Sequence, residues 1–586
     1  ASNNTAVGTD SLKANTTGTQ NVAVGSNALD ANTTANNNTA VGHNSLSSNT
    51  TGTKNNALGV GALTSNTTAD DNTAIGHEAL TANTTGQSNT ATGYASLDAN
   101  TTGSDNVAYG RDALGKNTTA NENVAVGRAS LGDNTTGTAN TALGKSALGG
   151  NTTASNNTAV GYLSLLANTT GTANTAVGAN ALDANTTGGY NSAFGIDALG
   201  ANTTASENSA FGFQALQLNT TGANNTALGG NALKSNTTAN SNTAVGDDAL
   251  RANTTGDDNT ALGHNSMLSN TTGQDNTSIG KACMANNTTG SDNVAVGCFA
   301  MDANTTASEN TAVGYNGLGA NTTGSNNAAL GFGALRTNTT GGSNTAIGKV
   351  ALAANTTASN NTAVGESALA ANTTGGGNVA VGQTALVLNT TGGNNVAVGN
   401  RAGHNTTTGS DSTCIGKDAG FALTTGSNNL FLGHDAGTGN APNGEHTTSS
   451  NNIILGDNNI TYFAAKVSLS VTSDERDKTD ITDFTKGLNI INTLRPVTYK
   501  WDMRSNYADE TPNGTKKDSK TNIGLIAQEV HTVEKANGYG NTNDDSLFVH
   551  LSDDEKYYGI AYERLIPVLI NAIKELSTKV TALEAG

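Results

Sequence analysis

The sequence predicts a mainly β protein. A 17-residue-repeat β-solenoid or β-roll is followed by a small α+β region that ends in a coiled-coil helix. Three observations predict it. Glycines recur every seventeen residues from Gly8, Gly25 and Gly42 to Gly399, Gly416 and Gly433, 26 in one register. Proline is absent for 441 residues, and all four prolines (Pro442, Pro496, Pro512, Pro567) come late. Charge is segregated: residues 473–586 hold 14 Lys/Arg and 19 Asp/Glu, 33 of the chain's 74 charged side chains, so the first 472 residues are polar but sparsely charged.

A period this short means a stacked array, and seventeen residues cannot hold two packed helices. The unit reads NTAVG…AL…NTTG. The residue before the glycine is apolar in nearly every repeat (Val7, Val24, Leu58, Ile75, Phe194, Phe211, Ile279, Leu330), with Thr92 a departure. Four residues after the glycine stands Leu12, Leu29 or Leu46, replaced by Met267, Met284 and Met301 in three repeats. Val and Leu are therefore expected to stack inside, one turn above the next. The glycine marks a corner where φ is positive or backbones approach closely. Asn-Thr-Thr, as at Asn15–Thr17, suits the second turn and can form side-chain ladders. It is also a glycosylation sequon, but the turn reading accounts for its place in the repeat. A proline would remove a ladder donor, which explains its exclusion.

With 35% hydrophobic and 4% aromatic residues, two short apolar pairs per turn make a thin interior. Several chains side by side, sharing a core, are expected; the repeat does not fix their number. The shaft is assigned to residues 1–437. Its last repeats put Gly403, Gly420 and Gly437 in the leucine position, and a six-residue insertion separates Gly433 from Gly456. Residues 438–472 are assigned to a tapering β neck, residues 473–565 to a globular domain and residues 566–586 to a coiled-coil helix. In the last segment Ile566, Leu569, Ile573, Leu576, Val580 and Leu583 alternate three and four apart, and Pro567 suits a first helical turn. Isoleucine at a with leucine at d favours two strands by itself.

Composition also excludes. The net charge of −18, without basic runs, argues against nucleic acid as a partner. No apolar stretch approaches the ~18 residues of a membrane span. Ala1 is followed by no secretory apolar run, so a processed or truncated start is expected. Cys283, Cys298 and Cys414 form no CxxC or Cys/His cluster, and Cys414 replaces a repeat alanine, so a small buried residue is expected there. His43, His77 and His264 have no metal spacing; neither metal nor cofactor is expected.

The repeats resemble those of trimeric YadA-type adhesin heads and of phage fibres, over roughly residues 4–456. The final segment carries, in order, SDERDKTDI (Ser473–Ile481), LRPVTYKWD (Leu494–Asp502), NIGLIAQEV (Asn522–Val530) and YERLIPVLINAIKEL (Tyr562–Leu576). It resembles the intramolecular chaperone auto-processing domain of endosialidases and other phage tail spikes and fibres. That resemblance implies a parallel homotrimer whose chaperone domain templates the fibre and then cuts itself off between Thr472 and Ser473. Ser473 is implied as nucleophile and Lys478 as base. A serine hydroxyl needs such a base, and a lysine serves only when burial or a neighbouring cation depresses its pKa; Arg476 is the candidate cation. Five residues apart on a helix, Ser473 and Lys478 would face different ways, so an irregular turn is expected. The function implied is a virion tail fibre or similar extracellular appendage for host attachment. It has itself and a host receptor or glycan as partners, and its single-turnover autoproteolysis acts on no external substrate. The alternative is a bacterial surface adhesin whose repeat surface binds host glycans, with no proteolysis.

Overall fold

The computed structural model describes residues 2–586 except 443, 468, 505, 506, 508, 510 and 552–556, in two compact units, Ala1–Ser343 and Asn344–Gly586. The first unit is a parallel β-solenoid with one short strand per seventeen-residue turn. Its strands run from β1 (Thr5–Val7) to β20 (Ala328–Leu330), each three residues long. Within this unit each pairs in register with its successor: Thr39 faces Asn56, Ala40 faces Ala57 and Val41 faces Leu58.

Side chains alternate along a strand, so three residues send one inward and two outward. The inward one is alanine: Ala40, Ala74 and Ala108 are fully buried. The expectation that the residue before the glycine lies inside is overturned. Val7, Leu58, Tyr109 and Leu143 stand outside, 46–58% exposed. The interior is narrow, and only the alanine methyl fits opposite the leucine. That leucine does lie inside; Leu29, Leu46 and Leu63 are fully buried, as are Met267, Met284 and Met301. It sits in the left-handed region (φ +52° at Leu46), which costs a non-glycine residue about 1–2 kcal/mol. Full burial of the side chain, at about 1.5–3 kcal/mol, offsets this.

The corner glycine is obligatory. Gly42 has φ +134°, and a Cβ there would lie 2.4 Å from the Gly59 carbonyl oxygen one turn on. The polar interior is satisfied by the next turn. The Asn38 backbone N–H donates to Asn21 Oδ1 (3.0 Å), and Asn38 Nδ2 donates to the Gly52 carbonyl (2.8 Å). A second ladder links the asparagines of Asn-Thr-Thr: Asn66 Nδ2 donates to Asn49 Oδ1 (3.0 Å) and to the Ala69 carbonyl (3.0 Å). Outside it, Thr84 Oγ1 donates to the Thr101 carbonyl (3.0 Å).

The second unit begins with the same turn, from β21 (Thr345–Ile347) to β27 (Ile453–Leu455). Its last turns exchange interior volume. The alanine position becomes Cys414 and then Phe431, both buried, while Gly420 and Gly437 replace leucine. A Cβ on Gly420 would lie 2.4 Å from Cys414 Sγ and 2.9 Å from the Phe431 ring, and one on Gly437 2.7 Å from that ring. The loss of leucine is thus room made for Phe431 as well as a taper. The insertion loops out without breaking register: Leu430 faces Ile453, and Thr424 N–H donates to the Thr447 carbonyl (2.7 Å). The solenoid therefore continues past residue 437 into the segment assigned to the neck. From Asn458 to Thr472 no strand occurs among the described residues, and Tyr462, Phe463, Val467, Leu469 and Val471 are 72–92% exposed.

The α+β region follows. Helix α1 (Leu488–Ile491) leads to β28 (Val497–Tyr499), antiparallel to β29 (Asn522–Gly524). Helix α2 (Ala527–Ala536) precedes β30 (Val549–Leu551), antiparallel to β31 (Tyr558–Ile560), and α3 (Ile566–Glu584) closes the chain. Ile490, Val530, Phe548, Val549, Leu565 and Val568 make a small core. Helix α3 has Pro567 in its first turn and buries only Val568 and Ala572. The Leu488 N–H donates to Glu575 Oε2 (3.2 Å), tying this face to α1. The adjoining face carries the heptad seam, exposed from Ile566 (55%) through Ile573 (66%) to Leu583 (81%). The structure is thus mainly β, a 17-residue parallel solenoid with a small terminal α+β region ending in a helix.

Candidate functional site

The sequence residues of interest lie on one turn at the start of the α+β region. Asp474 caps a single 3-10 turn, Glu475–Asp477, by accepting the Arg476 backbone N–H at Oδ1 (2.9 Å). The chain leaves that turn extended at Lys478 (φ −119°, ψ 140°). This reversal brings Lys478 back onto Ser473: Nζ donates to Ser473 Oγ at 2.6 Å and to the Ser473 carbonyl at 3.3 Å. A serine hydroxyl and a lysine amine in hydrogen-bond contact are the pair that proton abstraction requires. Thr472 precedes directly in the chain, so its carbonyl carbon is bonded to the Ser473 nitrogen.

Arg476 does not join the pair. Its guanidinium grips Asp474, with Nη2 to Oδ2 at 2.6 Å and Nε to Oδ1 at 3.0 Å. The guanidinium holds the Asp474 carboxyl below its ordinary value, with the backbone bond adding to it. The side chain thus fixes the turn from outside. Thr472, Ser473 and Lys478 are all exposed in the single chain. An ammonium in water remains charged at neutral pH; only desolvation or a nearby cation frees it to act as a base.

Elsewhere the molecule is compensated. Asp418, His434 and Asp435 present ligand atoms within 4.8 Å of one another. Arg401 Nε lies 2.5 Å and Lys417 Nζ 3.3 Å from Asp418, and His434 Nδ1 lies 3.5 Å from both Asp435 and Asp457. Burial pushes the Asp418 carboxyl up, but Arg401 and Lys417 outweigh it and hold it low. The three cysteines are free. Burial pushes the Cys283 thiol up to about 11 and the Cys414 thiol to about 12, so both are poor nucleophiles. Sequon asparagines of the inner turns, such as Asn66 and Asn83, are fully buried with their amides bonded, so the folded turn does not offer them to a glycosyltransferase.

A polar solenoid with an outward apolar row, followed by a small domain whose longest helix exposes its seam, defines a fibre-type protein with a C-terminal assembly module. Residues 473–539 match the family model described as chaperone of endosialidase, and the match begins at Ser473. The match covers part of the α+β region; the solenoid of seventeen-residue turns precedes it in the chain. No curated protein matches the chain. No helix among the described residues is long and apolar enough to cross a membrane.

The sequence reading missed how one set of exposed residues lines up. The residue after each corner glycine forms its own outward column, which includes His77, Tyr94, Arg111, Arg128, Lys145 and Tyr162 in consecutive turns. These cations never adjoin in sequence. Reading every seventeenth residue would have found them.

Proposed function

We propose that the chain is a homotrimeric fibre for host attachment, a phage tail fibre or similar extracellular appendage, released from its own C-terminal chaperone by cleavage between Thr472 and Ser473. The observation that carries the reading is the Lys478 Nζ to Ser473 Oγ contact at the first residue of the chaperone match. In the reaction, neutral Lys478 takes the Oγ proton as Oγ attacks the Thr472 carbonyl carbon. Lys478 then passes that proton to the departing Ser473 nitrogen. Thr472 is left esterified to Ser473 Oγ, and water hydrolyses the ester to a Thr472 carboxylate and a new amino terminus at Ser473.

Assembly supplies what the single chain lacks. The exposed Lys478 becomes a base once neighbouring copies bury it, which couples the cut to completed association. Three surfaces support that association: the outward Val/Leu/Ile row, the extended segment with Leu469 at 92% exposure, and the α3 seam. Parallel stacking of non-local strands is slow and prone to register slips, so a helical clamp that joins the chains first sets their number and register. Removing the clamp afterwards leaves the shaft kinetically trapped.

Denaturing mass analysis of the purified full chain tests this. The expected result is two fragments, the second starting at Ser473, and an intact chain for Ser473→Ala and Lys478→Ala. A wild-type chain that stays whole while sizing as a trimer overturns the cleavage reading.

A further inference from the structure

We propose that turns 77–166 of the first unit carry a binding site for a linear acidic polysaccharide. Residues 1–472 hold only 14 Lys/Arg, yet three stand one above another in consecutive turns: Arg111, Arg128 and Lys145. All three are exposed. Rings brace both ends of the row. His77 and Tyr94 stack at 5.4 Å and 13°, the Arg111 guanidinium lies 5.5 Å from the Tyr94 centroid, and Lys145 Nζ lies 5.4 Å from that of Tyr162. Stacking of this kind holds long cationic side chains in place, so less freedom is lost when an anion arrives. Arg128, between them, makes no ion pair or ring contact among the described residues.

A second observation lies beside the row. The surface sinks into an open depression of about 360 Å³, lined by the small residues Ala129, Gly132, Ser146, Gly149 and Gly150 and walled by Leu166. Ala129 and Ser146 follow Arg128 and Lys145 directly in the chain, so cations and depression share one edge. Asp133 also lines it, bridged to Lys116 at 2.6 Å.

This combination selects the ligand. Turns rise by the strand spacing, ~4.8 Å, close to the rise of one sugar in an extended chain, so cations on successive turns match carboxylates on successive sugars. A sugar ring fits a shallow depression of small residues, and Asp133 accepts from its hydroxyls. Asp133 calls for hydroxyl donors, which every sugar of a polysaccharide carries and the backbone of a DNA strand lacks, and this disfavours DNA. The site deepens the host-attachment reading and rests on it for its biological ligand.

The test uses the assembled full chain, with sizing of every sample. Binding is measured to polygalacturonate, to neutral dextran and to single-stranded DNA. Polygalacturonate should bind and weaken with salt, and dextran and DNA should bind far more weakly. The triple variant Arg111→Ala, Arg128→Ala, Lys145→Ala should lose about tenfold or more in affinity. Lys281→Ala with Lys349→Ala, isolated cations of the same column, should change nothing. Absence of polygalacturonate binding, equal binding of DNA, or an unaffected triple variant overturns the proposal. Loss of the trimer in sizing would instead count against the fibre reading.

Discussion

The solenoid turn and the terminal α+β region solve opposite problems. In the solenoid the inward polar groups find partners in the adjoining turn, as Asn38 meets Asn21, and the corner carbonyls lie against glycines where no side chain fits. The α+β region has a small core and leaves the apolar seam of α3 in water. A turn is completed by another turn of its own chain. The terminal helix has no such neighbour among the described residues, and its seam faces solvent.

The largest expected effect breaks the first half of that comparison. Gly246→Ala puts a Cβ 2.6 Å from the Gly263 carbonyl oxygen at φ +134° and should cost upward of about 4 kcal/mol, read as loss of soluble folded chain. Gly514→Ala in the α+β region, with φ +82° and nothing within 4 Å, should cost only about 1 kcal/mol by chemical denaturation. Next, Ile573→Asp in the exposed seam should leave the α+β core folded by circular dichroism yet abolish the trimer in light scattering. A variant that still assembles would assign the clamp elsewhere.

A smaller effect sharpens the polar side. Asn236→Leu removes a fully buried amide that bonds Asn219 and the Ala239 carbonyl, and should cost about 2–3 kcal/mol in unfolding experiments. The smallest effect is electrostatic. Asp418 is held low by Arg401 and Lys417 against the opposing push of burial. Its contribution is therefore complete above the ordinary carboxyl value of 3.8 and lost as pH falls below it. Asp418→Asn should flatten that acid limb of the melting profile.

Much of this was legible. The glycine period gave the turn length, the exclusion of proline gave the ladder, and the buried leucines and the Pro567 helix lie where spacing put them. The facing of Val41 and Leu58 was not legible, because both residues of each Ala-Val pair are apolar and only interior width decides between them. Nor was the fit of Phe431 against Gly420 and Gly437, since it depends on positions that meet only in space. At the candidate site the resemblance implied the pairing of Ser473 with Lys478, and their spacing then called for an irregular turn. The attachment of Arg476 to Asp474 did not, because an arginine two residues from a carboxylate and two from a lysine has both within reach.

The carbonyl-on-glycine corner has a consequence for how such a chain changes over generations. Each layer presents the same footprint on its upper and lower side. Excising or duplicating one whole layer therefore rejoins matched surfaces and disturbs nothing around it. Recombination between near-identical stretches of the gene can then reset the length of the solenoid in single-layer steps, leaving the α+β region untouched.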